Sequence, residues 1–193
     1  KERLKEIKSD VHVLTLTATP IPRTLQLALS GAKELSIIST PPVDRISVRS
    51  FISEFDIFTI REAILKEYYR GGQSFFVVPR ISDLKTITDF FNKNIPEVNY
   101  AEVHGQMKST NLEKIMTNFY DGNYNVLIST SIIDSGLDVP TANTLIVYKA
   151  DLFGLSQLYQ LRGRVGRSKI RAYAYFLTSK RKTLTSSAEK RLE

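Results

Sequence analysis

Gln157-Leu-Tyr-Gln160-Leu-Arg162-Gly163-Arg164-Val-Gly166-Arg167-Ser168 crowds three arginines and two glycines into six positions beside a glutamine. A guanidinium is always charged and presents a planar fork of donors, so two of them three residues apart on one helical turn grip an anion from one side. The glycines let backbone come close to that anion. The surrounding charge is one-sided. No acidic residue lies between Asp151 and Glu189, yet Arg162, Arg164, Arg167, Lys169, Arg171, Lys180, Arg181 and Lys182 all fall there. Those cations account for the whole-chain formal charge of +7, leaving the remainder about neutral. A charge run alone is most often a solvated loop. The spacing Gln-x-x-Gly-Arg-x-Gly-Arg from Gln160 to Arg167 shifts the reading toward function, provided the chain builds a platform for it.

Composition sets the bounds. At 193 residues and 42% hydrophobic content, the chain can bury one substantial core and a small appendage. It has no cysteine, which fits a reducing compartment and excludes disulfides and thiolate metal sites. With His12 and His104 as the only histidines, a histidine-rich metal centre is disfavoured and no metal ligand is assigned. No apolar run is long enough to span a bilayer and no signal-peptide pattern opens the chain, so a cytosolic location without a membrane partner is expected. The localised positive charge favours a polyanion, nucleic acid ahead of membrane. Both ends are charged, helical-looking text, as in a piece of something longer.

Alternation and punctuation predict the elements. Val11 to Thr17 alternates like a strand, and Thr17-Ala-Thr19-Pro20-Ile-Pro22-Arg23-Thr24 turns it into a helix start. Leu35 to Asp44, with Pro41 and Pro42, reads as a linker. Strands are then expected over Ser47 to Phe55, Ser74 to Pro79, Val98 to His104, Asn125 to Thr130, Thr144 to Tyr148 and Ala172 to Leu177. Helices are expected from Phe58 to Arg70, from a Ser82 cap to about Asn94, from Ser109 or Thr110 to Phe119, and from Leu155 to about Arg164. Ser186 to Glu193 reads as the start of another. Strand and helix alternating at this length imply parallel pairing through crossover helices. Phe75, Phe76, Phe90, Phe91, Phe119 and Tyr120 fall at packing positions and are assigned to the core.

In an open parallel sheet, ligands gather where strands end. His104-Gly105 follows one strand, and a lone histidine there is more often structural, but the glycine frees backbone to approach phosphate. Ser129 and Thr130 close the next strand, with hydroxyls suited to a phosphate chain. Asp138, beyond Gly136, repels phosphate. It either accepts a ribose hydroxyl or simply holds its own turn before Pro140. Arg80 is either a phosphate contact or a surface residue.

Taken with Leu14 to Thr24, Leu35-Ser-Ile-Ile, His104 to Met107, Ile133 to Thr144 and Asp151 to Ser168, these segments resemble the motifs of superfamily 2 helicase motors, in their RecG-like branch of double-stranded DNA translocases. The resemblance implies a RecA-like (P-loop NTPase type) α/β fold: a parallel sheet sandwiched by helices, forming the second helicase lobe. Residues 1–44 would end the first lobe and link the two, 45–180 would form the second lobe, and 181–193 would begin a translocation hairpin. It also implies roles. Arg164 and Arg167 act as arginine fingers; Gln160, Gly136 and Asp138 meet the nucleotide; Arg80, His104, Gly105, Ser129 and Thr130 meet nucleic acid; Thr17, Thr19, Arg23 and Arg191 couple the two sites. Asp134 stands where many relatives carry glutamate, which keeps the charge.

The 193 residues contain no Gly-Lys pair and no two adjacent acids, so they lack both the phosphate loop and the magnesium-holding acids of such a motor. ATP and magnesium are therefore expected mainly on a preceding first lobe, and this chain alone is expected to be inactive. The match is closest to branch members that displace stalled RNA polymerase and recruit excision-repair proteins, activities that would belong to other domains. A RecG-type branched-DNA helicase lobe and a non-catalytic nucleic-acid-binding module remain as alternatives.

Overall fold

The computed structural model describes residues 46–131 and 139–178, together with Ser36, Ile38 and Thr40. The chain divides into two compact units, Lys1–Ile38 and Ser39–Glu193, and every described helix and strand belongs to the second. Thr17, Thr19, Arg23, Asp134, Gly136, Asp138, Arg191 and the segment from Ser186 lie outside the described residues.

Strand β1 (Arg49–Glu54) leads into helix α1 (Ile57–Tyr69), whose cap Asp56 accepts the Thr59 N–H at 2.8 Å. Gly71, at φ +77, ends α1 in the left-handed conformation that glycine adopts without strain. Strand β2 (Gln73–Val77) and helix α2 (Ile81–Asn94) come next. Then follow β3 (Tyr100–Val103) and α3 (Ser109–Tyr120), the latter stopped by Gly122 at φ +81. Strands β4 (Val126–Ser129) and β5 (Ala142–Val147) are both wholly buried. A short 3-10 turn at Ala150–Leu152 precedes α4 (Leu155–Arg162), and β6 (Tyr173–Thr178) closes the described part.

The six strands form one sheet in the order β1-β6-β5-β2-β4-β3, every pairing parallel. Helices α1 and α2 link strands that step along the sheet one way, while α3 and α4 link strands that step back. Right-handed crossovers therefore put the two pairs on opposite faces. The packing agrees. Ile60, Ile64, Leu84, Ile87 and Phe91 meet Phe76, Ile128 and Ile146 on one face, whereas Phe119, Leu158 and Leu161 meet Phe75, Leu127 and Leu145 on the other. Strands covered on both sides need apolar residues at every position, which is why β2, β4 and β5 read as runs and not as alternation.

The expected helix-covered parallel sheet is thus present, with local differences. Helix α2 is capped at Arg80, in extended backbone without a side-chain bond, so Ser82 lies inside the first turn and does not cap it. Strand β5 starts two residues earlier than its β-branched run suggested, because Ala142 is already paired with Gln73. Helix α4 is hydrogen-bonded as regular helix only to Arg162. Four of the six assigned aromatics, Phe75, Phe76, Phe91 and Phe119, are fully buried, and Phe90 is half-buried against Phe55 and Phe91. Tyr120 is not core: it is 63% exposed, because the helix stripe that buries Phe119 turns the next position outward.

Phe119 packs on Phe75 with ring centroids 5.5 Å apart. Phe119→Ala should therefore cost about 3–5 kcal/mol in urea unfolding, whereas Tyr120→Ala should change stability by less than about 0.5 kcal/mol.

Candidate functional site

The arginine segment is held at both of its ends by the core. At its start, the Gln157 side chain reaches back to accept the Gly154 N–H at 3.0 Å, while Leu158 and Leu161 bury one face of α4. After Arg162 the chain keeps turning: Gly163 donates to the Tyr159 carbonyl at 3.0 Å and Arg164 to that of Leu161 at 2.9 Å. Gln160 and Arg164, four apart on this turn, are both half-buried and share one face. Val165 is then fully buried. Gly166 sits at φ +75 so close to its neighbours that a Cβ would lie 3.0 Å from Val48 Cγ2 and 3.2 Å from the Ala172 Cβ. Backbone conformation and close neighbours both favour glycine at this position. Arg167 follows on the exposed side, its Nε 3.4 Å from the Gly163 carbonyl. The segment thereby carries Gln160, Arg164 and Arg167 on a backbone that the core holds between the two arginines.

Its position differs from the strand-end rule. Val48 precedes β1 and Ala172 precedes β6, so Gly166 and Arg167 lie at the amino edge of the sheet. Arg80, His104, Gly105, Ser129 and Thr130 occupy the opposite, carboxyl edge, about 20 Å away along a six-residue strand. There Val77, Ser129 and Val103 stand in register across β2, β4 and β3. Ser129 and Thr130 end β4, His104 leaves β3, and exposed Arg80 leaves β2 at the head of α2. Ser129 is fully buried, and its Oγ, like the half-buried His104's Nδ1, has no hydrogen-bond partner among the described residues. Gly105 is exposed and a Cβ there would meet nothing within 4 Å, leaving open surface beside His104.

Lys149 extends this row, and sequence reasoning missed it. It lies two residues beyond the end of β5, whose Val147 pairs with Val77, and it adopts the left-handed φ of 49°. Its ammonium bonds Asp83 Oδ1 at 2.6 Å and lies 4.8 Å from the Tyr148 ring centroid. The Asp83 hydrogen bond holds the Lys149 pKa above its ordinary value. The available signal was a lone lysine placed between an apolar strand and Asp151.

This chain belongs to the family defined by the helicase conserved C-terminal domain, whose model matches residues 58–169. Over its whole length it is similar to transcription-repair-coupling factors: 52% identical to that of Rickettsia prowazekii (strain Madrid E) and 49% to that of Escherichia coli (strain K12), covering 17% of each. Bacillus subtilis (strain 168) has a relative of the same name at 50% identity, of which the chain covers 16%. Among solved structures, RecG bound to a three-way DNA junction matches 91% of this chain and 24% of that one, with a TM-score of 0.76 and 33% identity. Saccharomyces cerevisiae Dbp5 bound to RNA and ADP BeF3 matches 98% of this chain and 51% of that one at a TM-score of 0.68. Its 18% identity speaks for the fold alone. The fold is the RecA-like C-terminal lobe of helicases.

The Lys149–Asp83 pair has a pH signature. A lysine whose folded pKa is raised adds stability that is present below its unfolded value of about 10.4 and lost as pH climbs through the folded one. Because Lys149 is 30% exposed but Asp83 only 12%, Lys149→Met, which leaves that carboxylate without its partner, should cost about 1–3 kcal/mol at pH 7. In urea unfolding above about pH 10, the wild-type stability should converge on that of the variant.

Proposed function

We propose that this chain is the second motor lobe of an ATP-driven double-stranded DNA translocase, in which Arg164 and Arg167 complete a nucleotide site presented by a first lobe. The observation that carries this reading is the seating of Val165 and Gly166, which fixes the backbone between the two guanidiniums. Arginine fingers accelerate phosphoryl transfer by meeting the charge that develops on the transferring group, and they must be prepositioned to do so. The donor set fits that chemistry, since two guanidiniums and the Gln160 amide suit a polyphosphate. Gly136 and Asp138 complete the nucleotide contacts in this reading, with Asp138 accepting from a ribose hydroxyl. Magnesium, held with ATP mainly by the first lobe, supplies charge neutralisation on the phosphates when bound.

The carboxyl-edge row of Arg80, Ser129, Thr130, His104 and Gly105 serves as the track for the DNA backbone. Exposed Arg80 and Gly105, with half-buried His104 and Thr130, offer this edge to a phosphate backbone, whereas Ser129 is fully buried. Thr17, Thr19, Arg23 and Arg191 couple nucleotide state to this track. Identities of 49–52% to coupling factors, against 33% to RecG, favour the branch that displaces stalled RNA polymerase and couples transcription to nucleotide excision repair. A RecG-type lobe is the second reading, supported by that structural match to a junction-bound helicase. The polymerase and repair partners meet other parts of the whole protein, which operates in the cytosol.

Arg167→Ala in the full-length protein should lower ATP turnover by about 10³-fold or more while duplex affinity stays within about threefold. Turnover retained, with affinity lost and a smaller salt slope, would instead make the arginines a nucleic-acid contact. Arg80→Ala should weaken duplex binding uniformly across sequences and reduce the salt slope by about 1. The isolated chain, lacking a Gly-Lys phosphate loop, should show negligible ATPase, and robust hydrolysis by it would contradict the assignment.

A further inference from the structure

The loop after Gly166 leaves the core carrying Arg167, Ser168, Lys169, Ile170 and Arg171, and returns at fully buried Ala172. A charged, largely exposed excursion of this kind has little packing to offset its conformational entropy. Here it is tied down at two points, by buried Asn143 and by half-buried Arg70. Ser168 Oγ donates to Asn143 Oδ1 at 2.9 Å and accepts the Ile170 N–H at 3.3 Å. Asn143 is 1% exposed, and its amide donates to the Thr141 carbonyl at 3.1 Å, which fixes its oxygen toward Ser168. At the far end, Arg70 Nη1 donates to the Arg171 carbonyl at 3.0 Å.

Arg70 is itself aimed from below. Its Nε bonds Glu67 Oε1 at 2.9 Å and its Nη2 bonds Oε2 of the same carboxylate, which also accepts the Thr144 hydroxyl. Glu67 is 1% exposed, and Gly72 makes room for it, since any Cβ there would overlap the carboxylate. A buried carboxylate is costly unless fully paired. This one is paired through a guanidinium whose remaining edge reaches the arginine loop.

We propose that Ser168 with Asn143, and Arg70 with Glu67, form a two-point brace that positions Arg167 for catalysis. The brace rests on the reading of Arg167 as an arginine finger. Its members act through Arg167 and touch no substrate. Misplacing a catalytic group by about an ångström can cost up to about a hundredfold in rate, so losing one tie should register in turnover before it registers in binding.

The test uses the full-length protein and DNA-stimulated ATP turnover. Ser168→Ala should lower kcat by about tenfold, with KM for ATP within about twofold and the melting temperature within about 3 °C. Ser168→Thr, which keeps the hydroxyl, should restore most of the rate, and Arg70→Gln should reproduce the loss. In an Arg167→Ala background, Ser168→Ala should cause no further fall. Wild-type kcat in both Ser168→Ala and Arg70→Gln, alongside an inactive Arg167→Ala, would overturn the brace and leave the finger reading standing. An equal proportional loss in the Arg167→Ala background would also overturn it. Full turnover by Arg167→Ala itself would instead remove the reading on which the brace rests.

Discussion

Seating Gly166 between Val48 and Ala172 is the constraint from which the arrangement of the site follows. With Val165 fully buried beside it, the chain turns from α4 toward β6 at a corner where a residue with a Cβ would be strained at φ +75 and would push on Val48 and Ala172. That corner sets where Arg164 and Arg167 leave the backbone. It also ties them to the sheet, because Val48 leads into β1 and Ala172 into β6. Rigid elements beneath a site hold its groups more closely than loops can. Here an otherwise exposed charged segment takes its geometry from the packing of two strands.

The sheet then separates two kinds of chemistry. Its amino edge carries the arginines, and its carboxyl edge carries Lys149, Arg80, Ser129, Thr130 and His104 across four adjacent strands. Helix α4 and strand β5 connect the edges and are packed into one apolar layer through Leu158, Leu161, Leu145 and Val147. A close-packed layer transmits displacement because it cannot be deformed smoothly. Under the proposed translocase reading, this layer would be the physical route between nucleotide state at one edge and grip on DNA at the other.

Much of this was legible in the residues. The apolar runs of β2 and β5 announced strands covered on both faces, the glycines after α1 and α3 announced their ends, and the spacing from Gln160 to Arg167 singled out the segment proposed above as an anion site. What could not be read was set by tertiary contact. Ser82 looks like a cap, but the extended backbone at Arg80 starts the helix earlier. Tyr120 matches Phe119 in character and differs only in the face it occupies. The strand-end rule located the carboxyl-edge residues and does not extend to the arginines, because α4 carries its chain back along the sheet before they appear. Lys149 and the polar residues under the arginine loop gain their meaning from partners dozens of residues away, such as Asp83 for Lys149 and Arg70 for the carbonyl of Arg171.

The most direct test is a structure of the full-length protein on duplex DNA with ADP and a metal fluoride that mimics the transferring phosphoryl group. The expected result is a guanidinium nitrogen of Arg167 within about 3 Å of a fluoride ligand, with Gly166 still seated against Val48 and Ala172. An Arg167 side chain directed to the DNA backbone or to solvent, with another residue contacting the fluoride, would contradict it.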